Sequence, residues 1–167
     1  MLIRVAQADD FDAVADVLAR SYPALLAADY PAEVMAQVVP RIARPRPELL
    51  ASGRYFLAVL NDQIVGAGGY SLNAPAGRDA PVGAATPGLA HIRHVASDPA
   101  HLRRGIGRAV MAAIFTAAQS EGSTRFECLS TLTAVPFYAA LGFEETERVT
   151  VPIGPLGFAA VRMLRPD

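Results

Sequence analysis

Two glycines and three arginines surround the predicted start of an amphipathic helix in the second half of the chain. Gly105 and Gly107 lie two positions apart, and Arg103, Arg104 and Arg108 flank them. The first N–H groups of a helix have no intrahelical partner and carry partial positive charge, so a glycine-rich helix start can accept phosphate oxygens. The glycines would provide clearance, and the arginines would add positive charge. The spacing therefore predicts a site for a phosphorylated ligand.

Two common phosphate-binding motifs do not fit this segment. A dinucleotide-binding turn needs three spaced glycines and an acidic residue about 20 positions further on. A Walker loop needs a Gly-Lys pair followed by Ser or Thr. Neither pattern is present. The predicted site therefore belongs to another class of phosphate loop.

The elements that must position this turn are predicted from hydrophobic periodicity and turn residues. In chain order they are a strand at 2–5, a helix opened by acidic residues 9–12 and ending near 21, a helix at 31–39, strands at 55–60, 63–70 and 89–97, a helix at 105–121, a strand at 125–129, a helix at 134–141, and strands at 143–151 and 158–164. Pro23 is predicted to close the first helix, and a proline-rich segment occupies 40–47. Asn61 and Asp62 predict a hairpin turn.

The order strand, glycine-rich turn, helix, strand predicts a right-handed crossover between two parallel strands. The hairpins predict antiparallel pairs elsewhere, so we expect a mixed sheet and an α/β (mixed α+β) fold. No repeat or composition change divides the chain, and we expect one domain over residues 1–167. Residues 72–88 contain three prolines and three glycines and predict one long flexible loop.

Composition limits the classes of partner. Fifteen basic and sixteen acidic residues give a net charge of -1, which argues against nucleic-acid binding because the global basic field is missing. The lone cysteine, Cys128, excludes an internal disulfide and a thiolate metal cluster, and reads as a core residue. The longest apolar stretch, near 110–118, is too short to span a bilayer. We expect a cytoplasmic protein without a membrane partner or a metal.

Two motifs resemble those of the GNAT superfamily of N-acetyltransferases. Residues 102–107, Leu-Arg-Arg-Gly-Ile-Gly, resemble its pyrophosphate loop, Gln/Arg-x-x-Gly-x-Gly/Ala, with Leu102 departing at the first position. Residues 134–143 are similar to its second motif, Ala-x-x-Phe-Tyr-x-x-x-Gly-Phe. The family often has Asn where Thr131 stands, three residues before the alanine. The motifs come in the family's order with a strand between them, and the order of elements also matches over nearly the whole chain.

The resemblance implies a central mixed, mostly antiparallel twisted sheet flanked by about four helices. It implies direct transfer of the acetyl group of acetyl-CoA to a primary amine of a small molecule or peptide, through a ternary complex. The pantetheine arm would add to the edge of the strand before the loop, as an extra strand would. The cofactor-binding residues implied are Val95, Ala96, Ser97, Leu102, Arg103, Arg104, Gly105, Ile106, Gly107, Arg108 and Thr131.

The same resemblance implies two catalytic residues. His91 falls where many family members place a base, and a free imidazole with a pKa of about 6.5 is neutral at pH 7. Arg93, on the same face by alternation, would disfavour protonation of His91. Tyr138 matches the tyrosine that donates a proton or hydrogen bond to the departing thiolate, although phenol and thiol differ by about 1.5 pKa units. The alternatives are an ordinary hydrogen-bonded histidine and an aromatic core residue.

Other functions stay open at this point. A coenzyme A sensor without turnover would keep the phosphate loop, and a structural protein would use the glycine turn only as a helix start. Similar proteins often form dimers, so a homodimer is among the assemblies that the sequence allows. By analogy of fold, Tyr22, Tyr30 and the 72–88 loop are expected to line the acceptor side. The sequence does not identify the acceptor.

Overall fold

The computed structural model describes residues 1–75 and 83–167 and contains one seven-stranded sheet. The strands are β1 Leu2–Val5, β2 Tyr55–Leu60, β3 Gln63–Ser71, β4 Leu89–Ser97, β5 Arg125–Thr131, β6 Glu144–Ile153 and β7 Leu156–Arg165. The helices are α1 Phe11–Leu26, α2 Ala32–Gln37, α3 Val39–Ile42, α4 Pro47–Leu50, α5 Ile106–Ser120 and α6 Val135–Ala139.

The sheet order is β1-β2-β3-β4-β5-β7-β6, and every neighbouring pair is antiparallel except β4 and β5. The chain passes from β4 to β5 through α5, as the strand, turn, helix pattern predicted. The predicted mixed, mostly antiparallel sheet is confirmed. The hairpin between β2 and β3 is also confirmed, because Asn61 and Asp62 both have positive φ (49° and 60°), as a tight two-residue turn of this kind requires.

The prediction that Pro23 closes the first helix is wrong, since α1 continues to Leu26. Proline removes the donor that would bond the carbonyl four residues earlier, here Ala19. Ala19 and Pro23 are both exposed, so water can satisfy that carbonyl. Leu26 is buried beside Tyr30, and this packing favours a further turn of helix.

The predicted second helix is broken into shorter pieces. It appears as α2 and α3, and the proline-rich segment leads into the one-turn α4. Pro40 and Pro47 lie in the first turns of α3 and α4, where a missing N–H is tolerated. The described residues therefore contain six α-helices rather than about four, although α1 and α5 are the two long ones.

Helices cover both faces of the sheet. α5 and α6 pack on one face, and α1 to α4 lie on the other. Ala90 and Ile92 of β4 belong to the core under α5, whereas Ala96 belongs to the core under α1. Strict alternation would place all three residues on one face. A bulge between Arg93 and Ala96 reverses which face of the sheet the following side chains point to.

The predicted 72–88 loop is described only at its ends, because residues 76–82 lie outside the described residues. At those ends, Asn73 and Ala85 form an isolated antiparallel bridge. Across 1–75 and 83–167, no helix has the length and apolar character that crossing a bilayer requires.

Candidate active site

The parallel strands β4 and β5 separate soon after they begin. They pair only from Leu89 and Arg125 to His91 and Glu127. Beyond that point, residues 92–97 of β4 and 128–131 of β5 face each other without pairing, while their outer edges stay bonded to β3 and β7. A cavity of about 440 Å³ lies at this opening. The separation leaves backbone donors and acceptors of two strand edges available to an extended ligand.

The bulge in β4 is centred on His94, which has a φ of 48°. The buried hydroxyl of Tyr55 donates to the His94 carbonyl at 3.1 Å and holds the distortion in place. After the bulge, Val95 packs toward the α5 face and Ala96 toward the α1 face. Val95 therefore lines the cavity, whereas Ala96 does not.

His91 lines the cavity and is held by a carboxylate on the neighbouring strand. Its Nδ1 lies 3.0 Å from Glu127 Oε2, and Arg162 Nη1 donates to the other oxygen, Glu127 Oε1, at 3.0 Å. Arg162 Nε in turn lies 3.4 Å from Glu147 Oε2. The Nε2 atom of His91 is buried and has no hydrogen-bond partner among the residues described. With Nδ1–H donating to Glu127, Nε2 keeps a free lone pair.

Two opposing effects set the charge of His91. Burial lowers the pKa of its imidazole, and Glu127 acts in the opposite direction. Arg93 and Arg162 lower the pKa further, and the net result is a pKa below its ordinary value. The expected effect of Arg93 is present, although burial is the larger cause. His91 is accordingly neutral at pH 7 and able to accept a proton at Nε2.

Tyr138 reaches the same cavity from α6. Its ring packs edge-on against Phe137 and Phe143, with centroid distances of 5.2 and 5.3 Å. Burial raises the pKa of its phenol well above the ordinary value, and the nearby Cys128 and Tyr22 add to the rise. The phenol therefore stays protonated. This widens the difference between the pKa of the phenol and that of a thiol, so the Tyr138 hydroxyl is better suited to donating a hydrogen bond than to transferring its proton.

Thr131 and the loop before α5 provide polar groups at the two ends of the opening. Thr131 Oγ1 accepts from the Ala134 N–H at 3.2 Å where β5 turns into α6. Gly105 is the N-cap residue of α5, and the first intrahelical bond runs from Ala109 N to Gly105 O at 2.9 Å. The N–H groups of residues 106–108 precede that bond and have no helical acceptor.

The charges around this helix start are all positive. The first turn of α5 holds no acidic residue, and Arg103, Arg104 and Arg108 are exposed. Within the described part of the chain, none of the three forms an ion pair. Cations are unfavourable at a helix N-terminus, so this arrangement suits a bound anion.

The two glycines of the loop have different roles. Gly105 has a φ of +77°, and a Cβ built there would meet nothing within 4 Å. It is needed for conformation. A Cβ on Gly107 would lie 3.0 Å from the ring of Phe137, so the space beside Gly107 is filled by α6. The lack of a side chain at Gly107 therefore makes room for Phe137, and not for a phosphate as the sequence predicted.

The structure brings some of the predicted site residues together and separates others. His91, Val95, Thr131 and Tyr138 line one cavity. Ser97 lies beside Gly107, with its Oγ 3.7 Å from the position of a Cβ there. The remaining predicted cofactor residues lie outside the cavity: Ala96 is buried under α1, Leu102 is 46% exposed, and Arg103, Arg104, Gly105, Ile106 and Arg108 surround the start of α5.

Of the two tyrosines that were expected on the acceptor side, one lines the cavity and the other does not. Tyr22 lines the cavity. Tyr30 does not, because its hydroxyl donates to Ala159 O at 2.7 Å and accepts from Leu132 N at 2.8 Å. Cys128 also lines the cavity, but burial raises the pKa of its thiol, which keeps it unreactive as the sequence indicated.

The sequence did not predict several residues that line the cavity, above all Glu127, Arg162 and Arg46. For Glu127 and Arg162, the sequence offered one indication, which is that a charged residue lies within a predicted strand. No set of three or more His, Cys, Asp or Glu side chains suited to a metal ion occurs in residues 1–75 and 83–167.

Comparison with known proteins gives one family and many similar folds. The family model described as Acetyltransferase (GNAT) family matches residues 11–143. No curated protein matches the chain. The fold is similar to that of a GCN5-related N-acetyltransferase from Rhodopseudomonas palustris, with a TM-score of 0.78, 19% identity, and coverage of 99% of this chain and 95% of that one.

Two further solved structures have the same architecture. The PaiA N-acetyltransferase of Thermoplasma acidophilum, solved with coenzyme A, has a TM-score of 0.72 and 14% identity, over 99% of this chain and 98% of that one. The ribosomal-protein-S18-alanine N-acetyltransferase of Escherichia coli has a TM-score of 0.65 and 16% identity, over 99% and 92%. At these identities the neighbours establish the fold alone.

Proposed function

The chain belongs to the GNAT family of acetyltransferases, and from this we propose that it moves the acetyl group of acetyl-CoA directly to a primary amine of a small molecule or peptide. It is an acyltransferase with acetyl-CoA as co-substrate. One observation supports this proposal: His91, whose Nε2 has no partner among the described residues, and the protonated Tyr138 both line the cavity at the opening between β4 and β5.

The chain's own groups suit the parts of coenzyme A. We assign the diphosphate to the N–H groups that open α5, with the exposed Arg103, Arg104 and Arg108 nearby. The unpaired edge of β4 at 95–97 offers backbone groups to the amides of the pantetheine arm. Thr131, at the end of β5, offers a polar group on the opposite side.

The two catalytic groups have different tasks. An amine with a pKa of about 10.4 is mostly protonated at neutral pH, so the acceptor must lose a proton before it attacks. We assign the removal of that proton to His91 Nε2, with Glu127 stabilising the resulting imidazolium through Nδ1–H. The nitrogen then forms the new C–N bond, the C–S bond breaks, and the second proton of the nitrogen passes to the departing sulfur, which Tyr138 stabilises with a hydrogen bond. The thioester itself supplies the activated acetyl group.

The first test is an acceptor screen that follows the release of free thiol from acetyl-CoA. We expect release that depends on an added amine, together with an acetylated product of matching mass. A protein that binds coenzyme A but releases no thiol with any amine would be a sensor, and the proposed transfer would be wrong. A protein whose melting temperature coenzyme A leaves unchanged would contradict cofactor binding as well.

A glycine pair tests the assignment of the diphosphate. Gly105→Ala forces a side chain into a left-handed conformation, which costs about 1–2 kcal/mol of unfolding free energy. Gly53, with a φ of +74° and nothing within 4 Å of a built Cβ, is the matched control, because its neighbour Arg54 pairs with Glu121 at the opposite end of α5 from Gly105. Urea denaturation should show similar losses for both variants. We expect only Gly105→Ala to weaken binding of coenzyme A, and equal affinities would argue against the site.

A further inference from the structure

The cavity holds more positive charge than its catalytic groups require. Among the described residues that line it, three are arginines, Arg46, Arg93 and Arg162, and one is a carboxylate, Glu127. Arg162 and Glu127 form an ion pair at 3.0 Å and neutralise each other. Arg46 and Arg93 are left over. Since the whole chain carries a net charge of -1, this surplus is local.

The partners that these two arginines have in the described part of the chain are weak. Arg93 Nη1 donates to the neutral hydroxyl of Ser71 at 3.3 Å. Arg46 lies 3.9 Å from Glu48, whose side chain is 72% exposed to water. Surface pairs of this kind contribute little to stability. Both guanidinium groups therefore keep donors that a carboxylate could use in a forked arrangement.

Burial makes the positive charge of Arg93, beside that of Arg46, unfavourable unless an anion is bound. Arg93 is partly buried, and burial together with the charge of Arg46 lowers the pKa of its guanidinium, although Glu48 acts in the opposite direction. The neighbouring His94 is neutral at pH 7, because burial and both arginines lower its pKa to about 4, so it neither adds to nor offsets their charge. A bound anion would relieve both the repulsion and the lost hydration.

The phosphates of coenzyme A do not account for these arginines. His91 and Arg93 alternate with Ala90 and Ile92, which pack under α5, and so project toward the opposite face of the sheet. The start of α5, with its own three arginines, is the proposed diphosphate site. Arg93 thus lies on the side of the sheet from which the acceptor must approach His91.

We propose that Arg46 and Arg93 bind a carboxylate of the acceptor, so that the acceptor is a small amine carrying a negative charge, such as a free amino acid. This inference rests on the proposed acetyl transfer and names its substrate class. The same positive charges disfavour an ammonium group in the cavity, which helps the acceptor to enter as the neutral amine. A cavity of about 440 Å³ suits a small acceptor beside the end of the pantetheine arm.

The deciding measurement is binding of reaction products, because it needs no turnover. Calorimetry on protein saturated with coenzyme A compares N-acetylalanine and N-acetylaspartate with N-acetylalaninamide and N-acetylasparaginamide, which have similar shapes and no negative charge. We expect the acids to bind at least about 10-fold more tightly, the effect of a charge-assisted pair. In Arg93→Gln or Arg46→Gln, the preference should fall below about 3-fold.

Arg44→Gln is the matched control, since Arg44 is exposed, two positions from Arg46, and does not line the cavity. It should keep the full preference. Equal or undetectable binding of acid and amide to the wild-type protein overturns the proposal. A loss of affinity for coenzyme A itself in Arg93→Gln does so as well, because Arg93 would then serve the cofactor.

Further measurements test the carboxylate site separately from the proposed acetyl transfer. Thiol release with amino acids and their carboxamides at equal kcat/KM would keep acetyl transfer and overturn the carboxylate site. Tight binding of the acids without thiol release from any amine would keep the carboxylate site and overturn acetyl transfer. Tighter binding of malonyl-CoA than of acetyl-CoA, lost in Arg93→Gln, would show that the arginines contact the acyl group instead of the acceptor.

Discussion

Replacing Tyr138 with phenylalanine will lower kcat about 100-fold, the low end of what one hydrogen-bond donor to a developing negative charge contributes, and will leave the affinity for coenzyme A unchanged. The change removes one oxygen and keeps the ring between Phe137 and Phe143. The burial that raises the pKa of the phenol keeps it protonated, so its hydrogen bond is available at all physiological pH values. Steady-state thiol release gives kcat, and calorimetry gives the affinity.

Tyr70→Phe is the matched control for this experiment. Tyr70 is a buried tyrosine of the same core cluster, but its hydroxyl donates to Glu121 at 2.8 Å away from the cavity. The control should lose some stability and keep its kcat. Turnover close to wild type in Tyr138→Phe would remove Tyr138 from the mechanism, and an equal loss in both variants would point to damaged packing.

Replacing His91 with glutamine will lower kcat/KM by about 100-fold and abolish the acidic limb of its pH profile. In the wild-type enzyme the base works in its neutral form, so activity rises with pH through the pKa of His91. Because burial holds that pKa below its ordinary value of 6.5, the midpoint of the limb should lie below pH 6.5. The measurement is kcat/KM with a fixed acceptor across this range.

Glu127→Gln distinguishes a positioned base from an ordinary strand histidine. Glu127 raises the pKa of His91, so its neutralisation should move the acidic limb to lower pH. We also expect kcat to fall about 10-fold, because the imidazole loses the partner that orients it. A limb that stays in place in Glu127→Gln, or that survives in His91→Gln, contradicts the assignment of His91 as the base.

Local chemistry explains which elements the sequence could predict. The limits of β1, β2 and β4 are confirmed as predicted, because turn residues or a change of periodicity mark them. The start of α5 was predicted to within one residue from Gly105, whose positive φ only glycine adopts without strain. The prediction that Pro23 ends the first helix was wrong, because the tertiary packing of Leu26 outweighed the lost backbone hydrogen bond.

The site was less predictable because it depends on contacts between distant segments. Nothing in the sequence of β4 shows that it pairs with β5 for three residues and then diverges. The contact between His91 and Glu127 joins two strands that a whole helix separates along the chain. Arg46 comes from the segment before α4, which alone predicts only a turn. The resemblance to a family supplied the roles of His91 and Tyr138, whereas their environment required the structure.

The short pairing of β4 with β5 also bears on how the protein tolerates heat and proteases. The backbone hydrogen bonds end after three residue pairs between an amino-terminal portion of four strands, β1 to β4, and a carboxy-terminal portion of three strands, β5 to β7. Beyond that point, the side chains packed beneath α5 hold the two portions together. We expect a ligand that forms hydrogen bonds with both facing edges to link the two portions as an added strand would. We therefore expect bound substrate to raise the free energy of unfolding and to slow proteolysis at this junction of the sheet.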